Sequence, residues 1–174
     1  MNYENIEDWL ADLRPNWQMV RHIRGMTRDR KGKLYWLYIW EYRPGHFRLC
    51  LYVWPSLSFS DWLLAGWLAT GVTQSPTSWT IDDVRVRHKQ RGVGTALVKA
   101  AIALARRRGA QELSGTVISG DVRDSPFLPE WYARLGFTVQ FGGEADTDPW
   151  GLSTHATFRM DLSPATSSSG MNRM

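Results

Sequence analysis

Hydrophobic residues recur at helical spacing in some segments of this chain and in extended runs in others, and this difference predicts its helices and strands. In Ile6–Leu13 the apolar residues recur at helical spacing and predict a short amphipathic helix. Extended, aromatic-rich runs follow, and two of them flank an Arg-Pro-Gly turn, which predicts a hairpin. The predicted strands of this half are Trp17–Arg24, Leu34–Tyr42 and His46–Trp54. The charged run 27–33 is expected to be a loop, and Pro55–Ser60 breaks the pattern.

The segment Asp61–Thr70 is apolar without a clear period, so a helix and a buried loop both fit it. Farther on the pattern is regular: Trp79–Val86 predicts a strand and Ala96–Arg108 an amphipathic helix that Gly109 ends. The later predicted elements are strand Gln111–Ile118, helix Pro129–Leu135, and strands Phe137–Phe141 and Thr154–Leu162. This order predicts an α/β fold, a mixed sheet with antiparallel strands first and a parallel strand–helix–strand unit in its centre.

Length and composition are those of an ordinary globular domain. The chain has 174 residues, 43% of them hydrophobic and 22% charged, which predicts one domain over residues 1–162. Its ten tryptophans are expected to be core and hairpin aromatics. The Ser-rich stretch 163–174 is predicted to be disordered. No signal peptide and no apolar run of bilayer length is found, so we expect a cytoplasmic protein without a membrane partner.

Charge and cysteine content narrow the chemistry. The single cysteine, Cys50, leaves no internal disulfide and no cysteine metal cluster, and the four histidines lack ligand spacing, so no metal is predicted. The net charge is only +4, but the cations cluster in residues 21–33, 85–91 and 106–108. Such clusters suit the phosphates of a cofactor or of a nucleic acid.

The stretch Arg91–Leu97, R-G-V-G-T-A-L, lies between a predicted strand and a predicted helix. Glycines at a helix start leave backbone N–H groups that can surround a phosphate, and the helix dipole favours an anion there. The stretch does not match the Walker loop, and Leu97 stands where the dinucleotide pattern G-x-G-x-x-G needs its third glycine. The pattern therefore indicates an anion site at this glycine-containing stretch.

Two segments, in this order, resemble the GCN5-related N-acetyltransferases, the GNAT superfamily. The first resembles the family motif [QR]-x-x-G-x-[GA], with Arg91, Gly94 and Ala96 in the defined places. A register with Lys89, Gly92 and Gly94 in those places also stays open. The second segment, P-E-W-Y-A-R-L-G-F at Pro129–Phe137, resembles the C-terminal signature of the family. Between the two segments there is room for one helix and one strand, as the family order requires.

The resemblance implies an acetyl-CoA-dependent N-acyltransferase that transfers the acetyl group directly to an amine on a small molecule or a protein. It implies that the glycine loop holds the pyrophosphate and that a backbone N–H of the preceding strand polarises the thioester carbonyl. Ser125 stands where family members often carry asparagine, so its pantetheine contacts are expected to differ. The cofactor-binding residues expected from the resemblance are Val84, Arg85, Val86, Gln90, Arg91, Gly92, Val93, Gly94, Thr95, Ala96 and Ser125.

Three side chains are the candidate catalytic groups. By its place in the second segment, Tyr132 matches the family tyrosine that protonates the departing thiolate. Asp82 and Asp83 are candidate bases for the incoming amine. In a strand they point to opposite faces, so at most one of them faces the acceptor, and a water relay is the alternative to both.

The acceptor is not specified by these residues. The acidic stretch 144–148 would attract a cationic amine, whereas the aromatic and basic first half suits an anionic acceptor or one carried by a nucleic acid. Nucleic acid and a homodimer therefore stay open as partners. The alternative function is a non-catalytic nucleic-acid- or protein-binding module on the same fold.

Overall fold

The computed structural model describes residues 23–53, 64–87, 89–142 and 154–163. The strands in these ranges are β1 (Ile23–Arg28), β2 (Leu34–Arg43), β3 (His46–Val53), β4 (Leu64–Val72), β5 (Ser78–Val86), β6 (Glu112–Ile118), β7 (Thr138–Phe141) and β8 (Thr154–Asp161). The helices are α1 (Val93–Arg107), α2 (Ser119–Asp124) and α3 (Leu128–Arg134). The predictions for Ile6–Leu13, Pro55–Ser60 and the tail lie outside these residues, except for Ser163 in the tail.

The strands form one mixed sheet in the order β1-β2-β3-β4-β5-β6-β8-β7. β2 pairs antiparallel with β1 and with β3. β5 and β6, which α1 connects, pair parallel, and β8 pairs antiparallel with both β6 and β7. The predicted fold class is therefore confirmed, including the parallel strand–helix–strand unit at its centre.

The β2–β3 hairpin forms where the alternating pattern predicts it. In its register Ile39 lies opposite Leu49 and Leu37 opposite Leu51, so these residues share one face. Ile39, Leu49 and Leu51 are buried, and the other face becomes exposed toward the turn, at Trp40. Near the turn only one face is buried, and this is the physical reason that the alternation is visible there.

The helix or buried loop expected at Asp61–Thr70 is wrong, because the described part of that segment is strand β4. β4 lies between β3 and β5, so it has a neighbouring strand on each side. Ala65, Leu68, Ala69 and Thr70 are all buried, which leaves no alternation to reveal a strand. The buried Thr70 hydroxyl donates a hydrogen bond to the Thr80 carbonyl oxygen at 2.6 Å, which satisfies its polar group.

Other boundaries differ by a few residues. β1 extends to Arg28, which restricts the predicted charged loop to residues 29–33. α1 begins at Val93, three residues before the predicted start. Helix α2, which was not predicted, has six residues and buries none of them, so it has no apolar face to detect. Gly109 follows α1 with a φ of 81°, which confirms glycine as the residue that ends this helix, and Gly136 follows α3 in the same way with a φ of 94°.

The chain divides into two compact units. The first comprises Met1–Ala69 and Asp83–Ala100, and its described core includes Trp36, Leu49 and Leu97. The second comprises Thr70–Asp82 and Ala101–Met174, and its described core includes Leu113 and Phe158. The glycine loop belongs to the first unit, and Tyr132 belongs to the second.

Candidate functional site

The glycine loop before α1 has an unusual backbone conformation. Gly92 has a φ of 89°, and Gln90 has a φ of 63°, which makes it the one non-glycine with positive φ among the described residues. A left-handed residue other than glycine is uncommon and persists where its surroundings hold it. The loop is therefore held in a particular shape, and its contacts must account for that shape.

The start of α1 has the properties of an anion site. The first helical hydrogen bond runs from the Ala96 N–H to the Gly92 carbonyl oxygen at 3.0 Å, so the amides of Val93, Gly94 and Thr95 precede the helical ladder. The first turn contains no acidic residue. Val93 and Leu97 are buried and anchor the helix start in the core of the first unit. A phosphate fits such a helix start by charge and by hydrogen bonding.

The Arg91 guanidinium is bound to Asp29. Its Nε and Nη2 atoms donate to Oδ2 of Asp29 at 2.8 and 2.6 Å. The Asp29 side chain is fully buried, whereas a quarter of the Arg91 side chain is exposed. The guanidinium of the motif arginine is therefore paired with a carboxylate of the same chain. Its expected contribution to anion binding then comes from its backbone N–H.

Asp29 is held as a charged group by several donors. Burial raises its pKa, but the backbone N–H of Lys33, the Tyr35 hydroxyl, the backbone N–H of Lys31 and the Arg91 guanidinium outweigh burial and lower the pKa to about 2. The three donors other than Arg91 each lie 2.9 Å from a carboxylate oxygen. Burial and the bond to Asp29 also raise the pKa of Tyr35. At neutral pH the Asp29 carboxyl group is therefore ionised.

The turn between β1 and β2, residues 29–33, packs directly on the glycine loop. The Arg30 backbone N–H donates to the Arg91 carbonyl oxygen at 2.9 Å. The left-handed φ of Gly92 favours glycine there, and a methyl group added to it would lie 3.3 Å from Arg30 Cγ, a tight contact. Sequence reasoning missed Asp29 as a site residue. Its available signal was an acidic residue inside the basic run R-D-R-K-G-K, since Asp commonly accepts backbone N–H groups in turns.

The end of β5 carries the predicted carbonyl-polarising backbone and the two aspartates. Asp83 is half-buried and accepts a hydrogen bond from Arg85 Nε at 3.0 Å, while Asp82 is exposed. The parallel pairing with β6 covers Ser78–Ile81, so Val84 lies beyond it. Asp83 and Arg85 are two residues apart on one face of the strand, as the alternation of a strand requires.

Tyr132 and Ser125 are both buried within the second unit. The Tyr132 ring stacks on Phe158 with centroids 3.7 Å apart and meets Phe137 edge-on at 5.6 Å. Ser125 follows α2, and its carbonyl oxygen accepts the Leu128 N–H at 3.1 Å, at the start of α3. The Tyr132 ring is thus a core aromatic, and a catalytic role would belong to its hydroxyl.

Other reactive groups in the described residues are few. No group of three or more His, Cys, Asp or Glu side chains there could hold a metal ion. Among the described helices, none has the length and hydropathy needed to span a membrane. Burial raises the pKa of the Cys50 thiol to about 11, so it stays protonated at neutral pH.

No protein-family model and no curated protein matches the chain. Solved structures do match it. Nourseothricin acetyltransferase aligns with a TM-score of 0.54 and 23% identity, over 81% of this chain and 84% of that one. A protein of Desulfovibrio desulfuricans assigned to the GNAT acetyltransferases aligns with a TM-score of 0.53 and 19% identity, over 69% and 70%. Ard1 from Thermoplasma volcanium aligns with a TM-score of 0.51 and 19% identity, over 67% and 71%.

The chain has the GNAT fold.

This result confirms, for the fold, the resemblance predicted from the motifs around Gly94 and Tyr132. In the GNAT fold of this chain, the glycine loop is the connection from β5 to α1. Identities of 19% and 23% establish the fold alone, so cofactor, chemistry and acceptor are inferred from the residues themselves.

Proposed function

We propose that this chain is an acetyl-CoA-dependent N-acetyltransferase. The observation that carries the proposal is the start of α1 on a GNAT fold, where three backbone amides precede the helical ladder and no acidic residue occupies the first turn. In this proposal the amides of Gln90–Thr95 bind the pyrophosphate of CoA. Two of the structures named above, nourseothricin acetyltransferase and the Desulfovibrio desulfuricans protein, are described as acetyltransferases, which supports the same reaction class for this proposal.

The proposed reaction is a direct acyl transfer. The neutral amine nitrogen attacks the thioester carbonyl carbon, the new C–N bond forms, and the C–S bond breaks. A backbone N–H of Val84–Val86 stabilises the developing oxyanion, and these residues continue β5 beyond its parallel pairing. The amine loses one proton to a base or to water, and the departing thiolate gains one, which we assign to the Tyr132 hydroxyl.

Asp83 and Asp82 remain the proposed bases. The Asp83 carboxylate already accepts a hydrogen bond from Arg85, but the two side chains are 35% and 67% exposed. Exposed ion pairs contribute only about 0.2–1 kcal/mol, so this pair does not prevent Asp83 from turning toward an amine. Replacing each aspartate by asparagine in turn and measuring the pH dependence of turnover would identify the base. Unchanged profiles for both variants would favour a water relay.

Calorimetric titration with CoA tests the cofactor assignment. Gly94→Glu places a carboxylate in the first turn of α1 and should abolish CoA binding by repulsion of the pyrophosphate. Gly94→Ala separates the effect of size from that of charge, and Gln111→Glu adds the same charge at an exposed position outside the loop. Wild-type affinity in Gly94→Glu would refute the loop assignment. A wild-type chain that ignores CoA but binds nucleic acid in a salt-sensitive way would favour the non-catalytic module.

Release of free thiol from acetyl-CoA in the presence of candidate amines tests the reaction itself. The panel should contain polyamines, lysine peptides and aminoglycosides, together with nourseothricin, which the name of one structural neighbour contains. Acceptor-dependent thiol release supports the proposed transfer and identifies the acceptor class. Binding of CoA without thiol release for any amine in the panel would count against catalysis.

A further inference from the structure

The β1–β2 turn places a second arginine beside the glycine loop. The three heavy atoms nearest to a methyl group built on Gly92 all belong to Arg30: Cγ at 3.3 Å, and the backbone N and Nε at 3.8 Å each. The Arg30 side chain therefore lies across Gly92, immediately before the first turn of α1. Both residues belong to the first unit.

Arg30 and Arg91 use their charges differently. The Arg91 guanidinium is paired with the buried Asp29 carboxylate, which neutralises it within the protein. Arg30 is exposed, and within residues 23–53, 64–87, 89–142 and 154–163 its guanidinium has no ion pair or hydrogen bond. Of these two arginines, Arg91 therefore uses Nε and Nη2 to bind Asp29, whereas Arg30 uses none of its guanidinium donors within the described residues.

Hydrogen bonds within and around the turn also hold the backbone of Arg30 in place. Asp29 Oδ1 accepts the backbone N–H groups of Lys31 and Lys33 at 2.9 Å each, on either side of Gly32. The Arg30 N–H is tied to the Arg91 carbonyl oxygen. A backbone fixed at both ends lowers the conformational entropy that Arg30 would lose on binding a ligand.

We propose that Arg30 binds a phosphate group of the CoA held at the glycine loop, and that the motif residue Arg91 positions the loop instead. This inference rests on the proposed function. A guanidinium offers two parallel N–H donors to a phosphate, and such charge-assisted pairs are among the stronger hydrogen bonds in proteins. The phosphate is either in the pyrophosphate or at the 3′ position of the ribose, and the two sources share this chemistry.

Calorimetric titration of the full chain with CoA tests the assignment. Arg30→Gln keeps the backbone N–H that bonds to Arg91 and removes the charge, so CoA binding should weaken about 10- to 100-fold. Lys31→Gln, the next residue, removes the same charge and should change affinity less than about twofold, because Arg30 and not Lys31 supplies the atoms nearest to Gly92, and an exposed charge without such a contact is screened by salt. Wild-type affinity in Arg30→Gln, or an equal loss in Lys31→Gln, would overturn the proposal.

Thermal unfolding without ligand separates the two arginines. Arg30→Gln should unfold at the wild-type temperature, whereas Arg91→Gln should unfold lower because it leaves the buried Asp29 carboxylate without its ion-pair partner. A lower unfolding temperature for Arg30→Gln would make its effect on CoA structural and would also overturn the proposal.

Dephospho-CoA, which lacks the 3′-phosphate, identifies the phosphate. If Arg30→Gln and the wild type bind dephospho-CoA equally, Arg30 contacts the 3′-phosphate; if the loss persists, it contacts the pyrophosphate. Either result supports the proposal. Failure of the wild-type chain to bind CoA is a separate outcome, which would overturn the proposed function first.

Discussion

Gly66 in β4 offers a direct test of how closely the first unit packs around the glycine loop. A methyl group at Gly66 would lie 2.6 Å from the Arg85 carbonyl oxygen, 3.1 Å from Val93 Cγ1 and 3.2 Å from Val86 Cα. Two of these atoms belong to the end of β5, and the third belongs to the first residue of α1. The same small volume therefore touches the proposed carbonyl-polarising strand and the proposed phosphate-binding helix.

The expected cost of Gly66→Ala follows from the distances. Real side chains essentially never bring Cβ within 3.0 Å of such an atom, so the 2.6 Å contact must open by at least 0.4 Å. Its nearest partner is backbone, which cannot rotate away. Overpacking of this kind costs about 1–3 kcal/mol, and the lower entropy of the unfolded alanine chain offsets about 0.4–1 kcal/mol. A net loss of roughly 1–2 kcal/mol corresponds to about 2–8 °C in Tm for a chain of this size.

Thermal denaturation and CoA titration of Gly66→Ala measure both consequences. Gly120→Ala is the matched control, because it adds the same methyl group in helix α2, where its nearest atom is Ile118 Cδ1 at 4.0 Å. The control should be neutral or slightly stabilising, since alanine is favoured over glycine in helices by about 1 kcal/mol. If Gly66→Ala is as stable as Gly120→Ala and binds CoA like the wild type, the close packing of β4 against β5 and α1 is refuted.

Two further predictions concern Tyr132 and Asp29. Tyr132→Phe keeps the ring that stacks on Phe158 and removes the proposed proton donor, so turnover should fall with little change in CoA affinity; unchanged turnover would remove the hydroxyl from the mechanism. The pKa of Asp29 is about 2 in the folded chain against an ordinary 3.8, so its carboxylate stabilises the fold above pH 3.8 and this contribution is lost as the pH falls toward 2. In Asp29→Asn the urea midpoint should be lower at pH 7 and fall less between pH 4 and 2; an acid dependence equal to that of the wild type would contradict the role of the pair.

The sequence pattern predicted correctly those elements that are determined by residues close together in the chain. The β2–β3 hairpin and the helix ends at Gly109 and Gly136 follow from alternation and from glycine in the left-handed region. β4 was missed because burial on both faces erases the alternation. The sequence predicted the start of α1 three residues too late because glycine, here Gly94, is a poor helix former. In the first turn of a helix, however, the backbone N–H groups make no helical hydrogen bonds, so Gly94 is tolerated there.

The same holds for the candidate site, where some features depend on neighbouring residues and others on residues far apart in the chain. The glycine loop could be predicted because a strand, two glycines and an amphipathic helix follow one another directly. The Asp29–Arg91 pair joins residues 62 positions apart, and neither residue carries a local sign of the other. The placement of Arg30 follows from that pair and from the turn that Asp29 organises, so it could only be seen in the folded chain.

Because Asp29 is buried, the presence of the motif arginine in a related sequence indicates a conserved fold more than a conserved function. Because Arg91 completes a buried ion pair, a relative of this chain would lose stability on losing it, whether or not that relative bound CoA. Presence of this arginine in a distant sequence would then mark a preserved fold rather than a working transferase. Among such sequences Asp29 and Arg91 should change together, and the CoA binding proposed above would be better recognised by the glycines and by a cation in the β1–β2 turn.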